Sequence, residues 1–153
     1  MSGPNRWIID SGATYDLVAQ KDLTTYYQSL IYNTDEKIEM DTANGVIESA
    51  KMVDIPSKTL GEDINPYILP ETPAVISLGR KCCVHGWSFY WPPYGSPILT
   101  SPGGAKTALD VVNCVPYLNA EAKALVSRTA RESEDSDANA TRGSVYPLRW
   151  QHV

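Results

Sequence analysis

Between Arg6 and Thr14 the chain reads Arg-Trp-Ile-Ile-Asp-Ser-Gly-Ala-Thr. Trp7, Ile8 and Ile9 form an apolar run that stops at Asp10 and a turn of small residues. A continuous apolar run bounded by turn residues predicts a strand buried on both faces. A carboxylate at the end of such a strand is costly unless something pairs with it. Ser11 supplies a hydroxyl, Gly12 lets another backbone approach, and Ala13 adds no bulk. The same residues also suit an ordinary Asx turn, in which Asp10 bonds its own backbone. Either way, the fold must bury this strand and bring the acid out at its end.

Further along, Lys37 to Thr42 alternates polar and apolar residues, the mark of a half-buried strand. Asn44-Gly45 follows, and Val46 to Ile55 reads as a second strand. Asn-Gly between two β-patterned runs is a strong hairpin signal, because both residues tolerate positive φ. Tyr67-Ile68-Leu69 is a short strand. Ala74 to Leu78 predicts an apolar strand that runs through Gly79 into a short helix ending at Gly86. An aromatic strand, Ser88 to Trp91, is broken by Pro92-Pro93. Pro97 to Thr100 and Lys106 to Val112 are predicted as further strands, the latter leading to Val115–Leu118. Tyr15 to Val18 reads as a short strand or turn, and Gln20 to Leu30 has no sharp period. Nine tyrosines and four tryptophans against one phenylalanine suit a β-rich fold better than a helical bundle.

Two stretches carry a resemblance. Ile8-Ile9-Asp10-Ser11-Gly12-Ala13 resembles the catalytic loop of aspartic proteases, and Ile76-Ser77-Leu78-Gly79-Arg80 resembles their second signature. The order of these motifs around the hairpin, and the aromatic strand after Gly86, is similar to the retropepsin-like proteases of copia-type retrotransposon polyproteins. A related protease of ubiquitin-linked shuttle proteins fits the Ile-Ser-Leu-Gly form less well. The resemblance covers about residues 6–118. It implies an all-β, retropepsin-like closed barrel or sandwich with one short helix towards the C-terminal side, active as a symmetric homodimer. It implies an aspartic endopeptidase in which Asp10 and its copy from a second subunit share a proton and activate a water. Ser11, Gly12 and Ala13 would form the active-site loop, and Asp41 to Glu48 a flap with its tip at Ala43-Asn44-Gly45. Leu78, Gly79 and Arg80 would be structural. In retroviral relatives the Arg pairs with an acid four positions past the catalytic Asp. Here that position is Thr14, so either Asp16 substitutes or Arg80 bonds backbone carbonyls. The substrate would be an extended polypeptide, the element's own polyprotein, in the cytoplasm or within virus-like particles. A catalytically inactive dimerisation or peptide-binding module on the same fold is the alternative.

Other classes fit poorly. A net charge of −5 argues against a general nucleic-acid binder. No apolar run reaches membrane-spanning length, and the start lacks a basic-then-apolar leader. A serine hydrolase built on Ser11 or Ser77 would lack the Gly-x-Ser-x-Gly elbow. The three cysteines cannot all pair within one chain, which favours a reducing compartment and buried, inert thiols. Cys83-Val84-His85 lacks a second ligand pair at zinc spacing, so no metal and no cofactor is expected.

Residues 119–153 change character. Ala120 to Val126 has high helix propensity, and Ser127 to Ser144 is polar and reads as a disordered linker or tail. The aromatic cluster at Tyr146–Trp150 follows. Tyr146–Pro147 is a candidate self-processing bond, since retropepsins often cut between an aromatic residue and proline. The plainer reading is a C-terminal peptide packed on the domain surface.

Overall fold

The structure, a computed structural model, describes residues 4–119. The expectations for the tail, including the helical segment, the linker and the Tyr146–Pro147 bond, lie outside the described residues. Strand β1 is Arg6–Asp10 and β2 is Leu17–Ala19. A single 3-10 turn, Gln20–Asp22, leads to helix α1, Thr25–Ser29, capped by the Thr24 hydroxyl. The long hairpin is β3, Tyr32–Thr42, with β4, Gly45–Met52. Then come β5, Ile55–Ser57, β6, Glu62–Ile64, β7, Tyr67–Leu69, and β8, Val75–Ser77. Helix α2, Leu78–Cys83, follows β8 directly. The last strands are β9, Ser88–Tyr90, β10, Ile98–Thr100, β11, Lys106–Ala108, β12, Asp110–Val112, and β13, Val115–Asn119.

The main sheet has the order β12-β13-β1-β8-β2-β7-β4-β3; β11-β10-β9 and β5-β6 form two smaller sheets. The described chain is thus mainly β, as expected, but among the described residues the expected barrel closure is absent. The order is linear, with β12 and β3 left as edges. The helix content also departs from one short helix, because α1 forms as well.

Strand β1 sits inside the sheet, parallel to β8 on one side and antiparallel to β13 on the other. Its faces are not equally buried. Trp7 and Ile9, each 3% exposed, enter the main core with Val18, Ile76, Trp87, Leu99 and Leu118. Ile8 is half-buried on the opposite face. There it joins a second cluster built on Leu17, Ile38, Tyr67, Leu69 and Val75, with Ala13, Tyr15, Met40 and Ile47 at its margin. The pleat assigns alternate residues to alternate faces, so Asp10 falls on the Ile8 side. That is the side onto which the β3–β4 hairpin folds its apolar residues.

Two turns differ from the sequence reading. The hairpin tip turns on Ala43-Asn44, and the positive φ falls on Gly45, at +112°. The Thr42 hydroxyl fixes it, accepting the Asn44 N–H at 3.3 Å and donating to the Gly45 carbonyl at 2.8 Å. The predicted strand over Lys106 to Val112 is two strands. Between them Leu109 is 3% exposed and donates its N–H to the Pro97 carbonyl at 2.9 Å. Strands β12 and β13 then meet through Asn113 and Cys114, with φ of 50° and 64°. Positive φ at both central residues gives the twist that a two-residue hairpin needs.

Candidate active site

Asp10 is the last residue of β1, and Ser77, the last of β8, is its parallel register partner. After these two residues the strands part. The chain beyond Asp10 forms a loop, and the chain beyond Ser77 starts α2. Residues 11–16 therefore leave the sheet at the point where a helix begins.

The Asp10 carboxylate is half-buried, and its Oδ1 accepts the Gly12 N–H at 2.7 Å. This is the Asx-turn geometry that the sequence permits. It fixes the carboxylate over the loop and leaves its second oxygen outside that bond. A Cβ at Gly12 would stand 3.2 Å from Asp10 Oδ1, so the carboxylate would have to shift by a few tenths of an ångström to admit one. Ser11 and Gly12 are exposed, and Ala13 is half-buried against the second apolar cluster.

Ser77 organises the back of the loop. It is 1% exposed. Its Oγ donates to the Ala13 carbonyl at 2.6 Å and accepts the Arg80 N–H at 3.2 Å, so it caps α2 while holding the loop. Its own N–H donates to Asp16 Oδ1 at 2.7 Å. The sequence places this serine in the second motif and sets it aside as a nucleophile, but does not show its tie to the loop. The signal that could have found it is its position just before Leu78-Gly79-Arg80, where a helix N-cap belongs.

Of the second motif, Leu78 packs against the main core. Gly79 carries no tight steric demand, because an added Cβ would meet only Ser77 Oγ at 4.0 Å. The Arg80 guanidinium lies over the Tyr15 ring, 5.3 Å from its centroid. Asp16 is engaged with the Ser77 amide, and among the described residues no carboxylate lies within ion-pair distance of Arg80.

The hairpin tip, Ala43, Asn44 and Gly45, is exposed, and the hydrogen bonds that shape it stay within the hairpin. Contact with the loop side comes instead from Met40 and Ile47, which share the second cluster with Ala13 and Tyr15. Lys37 and Glu48 pair across the hairpin at 2.5 Å, with both side chains half exposed. Their mutual bond raises the Lys37 pKa and lowers that of Glu48.

Behind the loop lies a polar depression of about 290 Å³, lined by Asp16, Glu62, Asp63, Asn65, Lys81 and His85. Lys81 is 4% exposed; it pairs with Glu62 and stands 5.0 Å from the centroid of the Trp87 ring. The Trp87 Nε1–H is buried and has no hydrogen-bond partner among the described residues.

The cysteines are unpaired, and only Cys82 is partly buried, which raises its thiol pKa. Cys83 and Cys114 are exposed, contrary to the expected buried thiols, because α2 turns Cys83 outward and Cys114 occupies a hairpin turn. Among the described residues no group of three or more His, Cys, Asp or Glu side chains could hold a metal. Among the same residues no helix is long and apolar enough to cross a membrane. Searches against protein-family models, curated proteins and solved structures find no match to this chain.

Proposed function

We propose that the chain is one half of an aspartic endopeptidase that cleaves extended polypeptide, with retroelement polyprotein processing as its role. The observation that carries this reading is the setting of Asp10. It ends a strand held on both sides, its carboxylate is oriented by the Gly12 N–H at 2.7 Å, and it falls on the sheet face that the hairpin covers. The chain contains one Asp-Ser-Gly, so a symmetric homodimer must bring two Asp10 residues together. One carboxylate would then take a proton from water as the other gives one to the peptide carbonyl. Met40, Ile47, Ala13 and Tyr15 offer apolar surface for side chains flanking the cut bond. The substrate would lie in strand fashion beneath the hairpin.

The test is incubation of the purified chain and its Asp10→Asn variant with a mixed peptide library, with and without pepstatin. Cleavage by the parent alone, inhibited by pepstatin and with a bell-shaped pH profile below neutrality, supports the reading. Library binding with no cleavage by either protein would instead favour the inactive peptide-binding module.

A further inference from the structure

The loop from Asp10 to Asp16 hangs at three points from one buried residue. Asp10 is the register partner of Ser77, Ala13 O accepts from Ser77 Oγ, and Asp16 Oδ1 accepts from Ser77 N. The third contact is unusual in kind. A strand's end would ordinarily give its N–H to a neighbouring backbone carbonyl, whereas here a side chain that titrates receives it. We infer that Asp16 is a positioning residue for the loop that carries Asp10, acting as a proton-operated latch: ionised, it clamps Ser77 and through it Ala13; protonated, it loosens both.

The geometry supplies each part of such a device. The bond from an amide to an ionised carboxylate is roughly twice as strong as one to a neutral acceptor, so protonation weakens the clamp. Asp16 is only partly buried and opens onto the polar depression, which gives protons a route to it. Its backbone has an anchor that does not depend on the side chain's charge, since the Tyr67 N–H donates to the Asp16 carbonyl at 2.9 Å. The charged and titratable groups around it are Arg80 and Lys81 on α2, His85 in the turn just after it, Glu62 and Asp63 on β6, and Tyr67 on β7. Burial raises the Asp16 pKa above the usual carboxylate value; the Ser77 N–H and the Lys81, Arg80 and His85 charges oppose that rise. The latch therefore works at milder acidity than a solvated aspartate would.

This inference deepens the protease reading, so its test includes a readout that needs no activity. The first measurement follows the Asp16 carboxyl carbon and the Ser77 amide by NMR through an acid titration of the full chain. Ser77 amide protection from hydrogen exchange should fall along the Asp16 titration curve. In Asp16→Asn, which keeps a carbonyl acceptor but no charge, Ser77 protection should not follow that curve. In Asp16→Ala it should be low at every pH. The second measurement is peptide cleavage. Asp16→Asn should hold kcat near the parent's acid-side value at every pH and lose the pH dependence that tracks the carboxyl titration, whereas Asp16→Ala should lose on the order of tenfold to a hundredfold in kcat. Ser77 protection indifferent to Asp16 ionisation in the parent, or unchanged in Asp16→Ala, overturns the latch even if the protein cleaves peptides. Coupled Asp16 and Ser77 signals in a protein that cleaves nothing uphold the latch and sink the protease reading instead.

Discussion

Ser77 Oγ lies 2.6 Å from the Ala13 carbonyl and 3.2 Å from the Arg80 amide, so one hydroxyl joins the Asp10 loop to the start of α2. Replacing Ser77 with Ala removes a helix cap and leaves a loop carbonyl without its donor. The expected cost is about 1–3 kcal/mol. Urea denaturation should show it as a lower midpoint with an unchanged slope. A loss under ~0.5 kcal/mol would mean that water replaces the hydroxyl.

Asp10→Asn keeps an oxygen that can accept the Gly12 N–H, so the loop should keep its shape while cleavage is abolished. Gly12→Ala should also abolish cleavage, by a different route: its Cβ would crowd Asp10 Oδ1 at 3.2 Å. Circular dichroism and thermal melts should show both variants folded. A Gly12→Ala variant with parental kcat would show that the carboxylate can shift without consequence.

If two chains complete one site, specific activity should fall on dilution through the dimer dissociation constant. Sedimentation measured over the same concentrations should show dimer giving way to monomer. Activity that stays constant per chain in a monomeric sample would contradict the shared dyad.

Lys81 and Glu62 make an asymmetric pair, with side chains 5% and 39% exposed. Removing Glu62 strands a buried ammonium beside Trp87, whereas removing the Lys81 charge frees a carboxylate that water can reach. Glu62→Ala should therefore cost roughly 2–3 kcal/mol, less than a fully buried pair, and Lys81→Met should be near neutral. Denaturation midpoints of the two variants decide this, and equal losses would refute the asymmetry.

Burial raises the Asp16 pKa in the folded state, so the folded chain binds its proton more tightly than the unfolded chain does. The stabilisation from that proton is present below the unfolded value and is lost as pH rises through the folded one. Asp16→Asn should thus melt higher than the parent near neutral pH, and the difference should vanish on acidification below the usual aspartate range. A constant difference across pH would show that ionisation is not its source.

Much of the site was legible because it rests on local patterns. The apolar run ending at Asp10, the hairpin, Tyr67–Leu69 and the passage from β8 into α2 all follow from residue order. What was missed depends on partners distant in sequence. Ser77 reaches Ala13 and Asp16 across 64 and 61 residues, and no spacing rule reports such contacts. Asp16 was read as a possible mate for Arg80, but the Ser77 amide holds it. Sheet closure failed for the same reason, since closing requires edges to meet and no local motif encodes that. The break at Leu109 was hidden by its neighbours' β pattern, and Asn113-Cys114 lacks the glycine that usually marks such a turn.

Strand β1 is flanked by β13, whose residues Tyr117, Leu118 and Asn119 pair with Ile8, Trp7 and Arg6. The first strand of the described chain is thus completed by its last. On the ribosome, Arg6 to Ile8 waits with one side unpaired until Tyr117 to Asn119 have emerged. Closing so long a loop is slow, and until it closes the strand is an open template for wrong partners. The first half of the strand thus waits for the last described strand, whereas Asp10 at its other end has its partner, Ser77, some forty residues of synthesis sooner.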